Sequence, residues 1–162
     1  MKKALKILGI ALLALLLAVG AYAGYVFGTY SRIEDNQTLE VTHGSAGVEN
    51  AAPETEYKVL SWNIGFGAYE EDFGFFMDGG TESRAWSKDR LTANIDAIGK
   101  TAFAQEADLY LLQEVDFDSD RSYHVDEALA LRTFDDLDVY TDSVFAVNYH
   151  SAYLFYPITQ PH

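Results

Sequence analysis

Ser61-Trp62-Asn63-Ile64-Gly65 and Leu112-Gln113-Glu114-Val115-Asp116 each close a short apolar run with a side chain able to hold a cation. The runs that lead into them, residues 57–63 and 108–115, are rich in β-branched, aromatic and leucine residues and read as strands. Between them, over residues 85–106, the period turns helical, with Leu91, Ile95, Ile98 and Ala102 on one face and Ser87 placed as N-cap. A strand, a crossover helix and a second strand favour parallel neighbours joined by a right-handed connection. Parallel strands share the edge at which their C-terminal ends lie, so Asn63 and Glu114 are expected to meet there. By alternation Glu114 shares a face with Leu112 and Tyr110, at the boundary of the core.

Outward from this unit, residues 65–80 are rich in glycine and acidic residues and form a loop over the sheet edge. Phe66, Tyr69, Phe73, Phe75 and Phe76 punctuate it, as core satellites or as a lid. A second helix is expected over residues 123–132, with Val125 and Leu129 inward. Residues 139–156 read as two strands, 143–149 and 152–156, joined at a bend at Tyr149-His150-Ser151.

The other end of the chain is different in kind. Lys2, Lys3 and Lys6 precede an apolar run that continues to Tyr30, long enough to cross about 30 Å of hydrocarbon as a helix. The basic flank belongs on the cytoplasmic side, which places the rest of the chain outside the cytoplasm. A cleaved signal peptide is the competing reading, with Ala21-Tyr22-Ala23 as the cleavage site and a secreted product. Residues 1–30 are therefore expected to be a single membrane span, 31–56 a flexible polar stalk in which His43 is solvated, and 57–162 the folded domain.

All 25 acidic residues follow Arg32, against seven of the 11 basic ones, and the formal net charge is −14. Such a field disfavours nucleic acid and anionic surfaces as partners. The absence of cysteine excludes disulfides, thiol nucleophiles and zinc–thiolate sites. Nothing points to a protein partner.

An isolated strand-end Asn or Glu means little, but an amide and a carboxylate brought to one edge suit Mg²⁺, Mn²⁺ or Ca²⁺. Here the chain resembles the endonuclease/exonuclease/phosphatase superfamily of metal-dependent phosphoesterases. Leu60-Ser61-Trp62-Asn63-Ile64-Gly65 is similar to its first motif, and Leu111-Leu112-Gln113-Glu114-Val115 to its second. The resemblance implies a two-sheet α/β sandwich, here a partial one, and hydrolysis of a phosphodiester or phosphomonoester. It gives Asn63 a role in ordering the metal and phosphate site and makes Glu114 the direct ligand of Mg²⁺ (or Mn²⁺ or Ca²⁺). Arg121 is a candidate phosphate clamp, and His124 or Tyr123 a candidate substrate contact. Tyr149 lies roughly where the family places a site tyrosine.

The family's later motifs, an Asp-x-Asn pair, a further aspartate and an Asp-His unit, are not found before His162. The chain as given is therefore expected to be the N-terminal half of such a domain and inactive alone, with an uncovered apolar sheet face. A lipid or small phosphoester is favoured over nucleic acid as substrate. The alternative is a non-catalytic extracytoplasmic module, truncated or ligand-binding.

Overall fold

The computed structural model describes residues 2–30, 32–45, 51–135 and 142–161. They divide into two units, one of residues 2–37 and 147–154, the other of residues 38–146 and 155–161. The architecture is mixed helix and sheet with a long apolar N-terminal helix.

In the first unit, helix α1 (Lys2–Thr29) runs 28 residues without a buried side chain. At 1.5 Å per residue it is about 42 Å long, and its composition and length suffice to cross a membrane. No polar stripe interrupts it, so nothing marks a face for packing on a water-soluble core. The remainder of this unit, 147–154, is irregular, and Tyr22 donates its hydroxyl to the Tyr153 carbonyl at 3.5 Å.

In the second unit, strand β1 (Val41–Thr42) pairs antiparallel with β4 (Ser143–Val144), and strand β2 (Val59–Asn63) pairs parallel with β3 (Leu109–Gln113). The register sets Val59 opposite Leu109 and Asn63 opposite Gln113. Crossover helix α2 (Lys88–Phe103) starts where Ser87 accepts the Arg90 amide at 3.2 Å, as its sequence requires. Its buried side is Leu91, Ile95, Gly99 and Ala102, with Ile98 half-buried.

That side joins two small cores. Leu91 packs with Phe66, Ala68 and Ala85, while Ile95 packs with Ile64 and Leu131. Phe66, Phe73 and Phe75 of the 65–80 loop are core, with Phe73 and Phe75 meeting the fully buried Phe66 edge-on at 5.9 and 6.1 Å, while Tyr69 is 50% exposed. One face of the parallel pair, Leu60, Trp62, Tyr110 and Leu112, is half-buried. Val59, Leu109 and Leu111 on the other are 50%, 53% and 54% exposed.

Three expectations change. The stalk is not uniformly irregular: Val41–Thr42 forms a strand, and His43, solvated as expected with its side chain 73% exposed, sets Nδ1 3.0 Å from Asp142 Oδ2. Residues 46–50 of that stalk, and 139–141 of the expected hairpin, lie outside the described residues. Of the two strands expected over 143–149 and 152–156, only Ser143–Val144 pairs, and its partner is β1 across the chain. Helix α3 (Glu127–Arg132) begins later than residue 123, because Tyr123 and His124 adopt positive φ and Asp126 caps the helix by accepting the Leu129 amide at 2.7 Å. Its inward pair is consequently Glu127 and Leu131, and Leu129 is 45% exposed.

Candidate functional site

The β2–β3 ladder runs past the last paired residues: Ile64 donates to the Gln113 carbonyl at 3.0 Å and Phe66 to the Glu114 carbonyl at 2.8 Å. Strand β3 ends at Gln113, and Glu114 takes φ +52°. A non-glycine residue in the left-handed region is costly and persists only where its surroundings hold it. This turn overrides the alternation that would set Glu114 beside Leu112. Its carboxylate instead meets Asn63, which shares strand parity with the exposed Val59 and Ser61.

Asn63 is held from both ends of its amide. Its Oδ1 accepts the Gly65 amide at 2.9 Å, and its Nδ2 donates to Glu114 Oε1 at 2.9 Å. Gly65 has φ +55°, and a Cβ there would fall 2.3 Å from the Tyr69 ring, so glycine is required for this turn. The sequence-based expectation that these two side chains converge matches the geometry. In this arrangement the Asn63 oxygen faces the Gly65 amide and its NH₂ group faces the carboxylate.

Arg121 was expected to clamp phosphate, and its fork is already committed. Nε and Nη2 each lie 2.8 Å from an Asp116 carboxylate oxygen, and the guanidinium stacks 4.0 Å above the Phe66 ring. Its remaining nitrogen, Nη1, is 4.0 Å from Glu114 Oε2. Burial lowers the Arg121 pKa, but the hydrogen bonds and charge of Asp116, with Glu114 and Glu127, raise it overall.

His124 bonds Asp118 through Nδ1 at 2.6 Å and approaches Asp120 through Nε2 at 3.4 Å, away from the Asn63–Glu114 pair's own contacts. Tyr123 turns inward onto the Phe66 core, with its hydroxyl donating to the Trp86 carbonyl at 3.3 Å. Tyr149 belongs to the first unit and is 78% exposed.

An open cleft of ≈ 410 Å³ adjoins the pair, bounded by Asn63, Glu114, Tyr69, Trp62, Asn94 and Thr101 among others. Burial, and then the Glu114 charge, raise the Tyr69 pKa above its ordinary value of 10.0.

The donor set sets a limit on what cation fits here. Among the described residues no group of three His, Asp or Glu side chains is arranged to hold a metal ion. Glu114 is one carboxylate with lone pairs open toward the cleft. Mg²⁺ characteristically takes one or two carboxylates and completes its shell with water and phosphate oxygens, so the residues fit its minimum. They do not fit a multidentate Ca²⁺ cage or a closed zinc site.

Sequence reasoning missed Glu127. It is fully buried on α3, its Oε2 accepts the Asp116 amide at 3.0 Å, and its Oε1 has no partner. Burial, with the Asp116 charge adding, pushes its pKa from 4.5 to about 8, despite the opposing Asp116 amide and Arg121. The one sequence signal was its i, i+4 spacing to Leu131, which makes 127 an inward position. No protein-family model, curated protein or solved structure matches the chain.

Proposed function

We propose that this protein is a membrane-anchored, divalent-cation-dependent phosphoesterase of the endonuclease/exonuclease/phosphatase type, acting at the C-terminal edge of β2 and β3. The observation that carries the reading is the hydrogen bond between Asn63 and the strained Glu114 across two parallel strand ends, beside a cleft. Such edges of parallel sheets are where α/β proteins gather polar ligands.

In this reading Glu114 holds Mg²⁺ or Mn²⁺, and a bound cation supplies Lewis-acid polarisation of a phosphoryl oxygen and offsets developing charge. Asn63 fixes the rotamer of that carboxylate by holding one oxygen. Arg121 leaves one nitrogen facing the other oxygen. The pair β2–β3 is then part of one layer of a two-sheet sandwich. The exposed Val59, Leu109 and Leu111 support that, because a parallel sheet is ordinarily covered on both faces.

Lys2, Lys3 and Lys6 in the first turns of α1 support an extracytoplasmic domain. The net charge of −14 supports a lipid or small-molecule phosphoester over nucleic acid.

A second reading, ligand binding without turnover, is favoured by one observation: the Arg121 fork is spent on Asp116 and offers no free bidentate clamp. Both readings meet one experiment. The full chain in detergent micelles is assayed on bis-p-nitrophenyl phosphate and p-nitrophenyl phosphate with Mg²⁺, with Mn²⁺ and with EDTA. Cation-dependent release of nitrophenol that disappears in Glu114→Ala supports hydrolysis. Turnover that survives Glu114→Ala defeats the enzyme reading at this site, and a chain that shows no turnover favours the second reading.

A further inference from the structure

The chain of contacts behind Glu114 leads to a residue that no step of the chemistry above uses. Glu127 and Asp116 bond each other in both directions: Glu127 Oε2 accepts the Asp116 amide at 3.0 Å, and the Glu127 amide donates to the Asp116 carbonyl at 2.9 Å. These two bonds fix the peptide two residues beyond Glu114. Asp116 in turn holds Arg121 with both carboxylate oxygens, and Arg121 presents Nη1 to Glu114 Oε2 at 4.0 Å. Phe66 ties the same parts from the other side, with its ring under the guanidinium and its amide on the Glu114 carbonyl.

We infer that Glu127 is a positioning residue for the Glu114 carboxylate, acting through the Asp116 backbone and the Arg121 guanidinium; this rests on the reading of Glu114 as the cation-holding group. A carboxyl group with no exposed surface and one unpartnered oxygen is costly, and an apolar side chain would fill the inner face of α3 without that cost. Its geometry gives the polar group a use. It is the side chain that satisfies the Asp116 amide, and so sets where Asp116 can grip Arg121. The raised pKa favours the neutral form of Glu127 near pH 7, and its hydrogen bond to the Asp116 amide is what links it to Arg121.

The test uses the full chain in micelles, labelled with ¹⁵N-asparagine, with two readouts. One is the Asn63 side-chain amide signal, which reports the bond to Glu114 without any metal. The other is Mn²⁺ affinity by calorimetry. Glu127→Gln, which keeps an acceptor for the Asp116 amide, leaves both as in the wild type. Glu127→Leu moves the Asn63 signal toward that of a free amide and weakens Mn²⁺ about tenfold or more, the usual consequence of losing a group that orients a metal ligand. An unmoved Asn63 signal in a folded Glu127→Leu protein overturns the inference. If that variant fails to fold, Asp116→Asn breaks the next link, and an unmoved signal there overturns it equally. A wild type that binds no Mn²⁺ defeats the cation reading, while the Asn63 signal still decides for or against positioning.

Discussion

Arg90 and Arg121 each face two carboxylates and one aromatic ring, yet their surroundings make them different interactions. Arg90 bonds Asp72 and Glu70 and lies 5.9 Å over the Trp86 ring, with its side chain 44% exposed. Arg121 bonds Asp116, faces Glu114 and lies 4.0 Å over Phe66, with its side chain 24% exposed. Hydrogen bonding to Arg90 lowers the Asp72 pKa, and to Asp72 and Glu70 raises that of Arg90, yet water and salt screen this cluster. Around Arg121 water is largely excluded, and burial pushes the pKa of one of three neighbouring carboxyls, Glu127, up to about 8. The same residue types therefore form a solvated surface cluster in one place and a low-dielectric network beneath a candidate site in the other.

The largest break in that comparison is Arg121→Met. It leaves the Asp116 carboxylate, only 12% exposed, without its partner, and should cost about 3–5 kcal/mol of stability in denaturant melts of the full chain in micelles. A loss no greater than that of Arg90→Met would show that the two clusters are equivalent.

Next in size is a pH effect with a definite sign. Glu127 binds its proton more tightly folded, with a pKa of about 8, than unfolded, near 4.5. Folding takes up a proton in that window, so this group's contribution is most favourable below about pH 4.5 and is lost as pH rises toward 8. Melting temperature followed from pH 5 to pH 8.5 should fall by an amount worth a few kcal/mol, and Glu127→Gln should remove most of that slope. A Gln variant with the wild-type slope would remove Glu127 as its source.

Smaller still is Ser87→Ala, at about 1 kcal/mol, because it frees the Arg90 backbone amide at the start of α2. Arg90→Met should change the melt least, and what change it makes should vanish in high salt. If Arg90→Met exceeded Ser87→Ala, the ion cluster and not the cap would be the stabilising element at that helix end.

Much of this architecture was legible because it is written in local periods. The leucine–isoleucine spacing of α2 appears as its buried face, Ser87 caps where expected, and β2 and β3 are parallel because a helix separates them. The meeting of Asn63 and Glu114 followed from that topology. The 143–149 strand was over-read because a run of valine and aromatic residues resembles a strand whether or not a partner exists. The inward face of α3 was misjudged because its start depends on Tyr123 and His124 turning left-handed, which no propensity announces at those residue types.

The sequence by itself determined the long apolar helix, the strand–helix–strand order and the pairing of two strand ends, since each is set by hydrophobic period and chain length. Packing in three dimensions set that Glu114 turns out of its strand, that Arg121 is taken by Asp116, and that Glu127 is buried, where desolvation raises its pKa. Those outcomes depend on which groups lose water together, and desolvation is a property of packed neighbours, which no single residue's position in the sequence reveals.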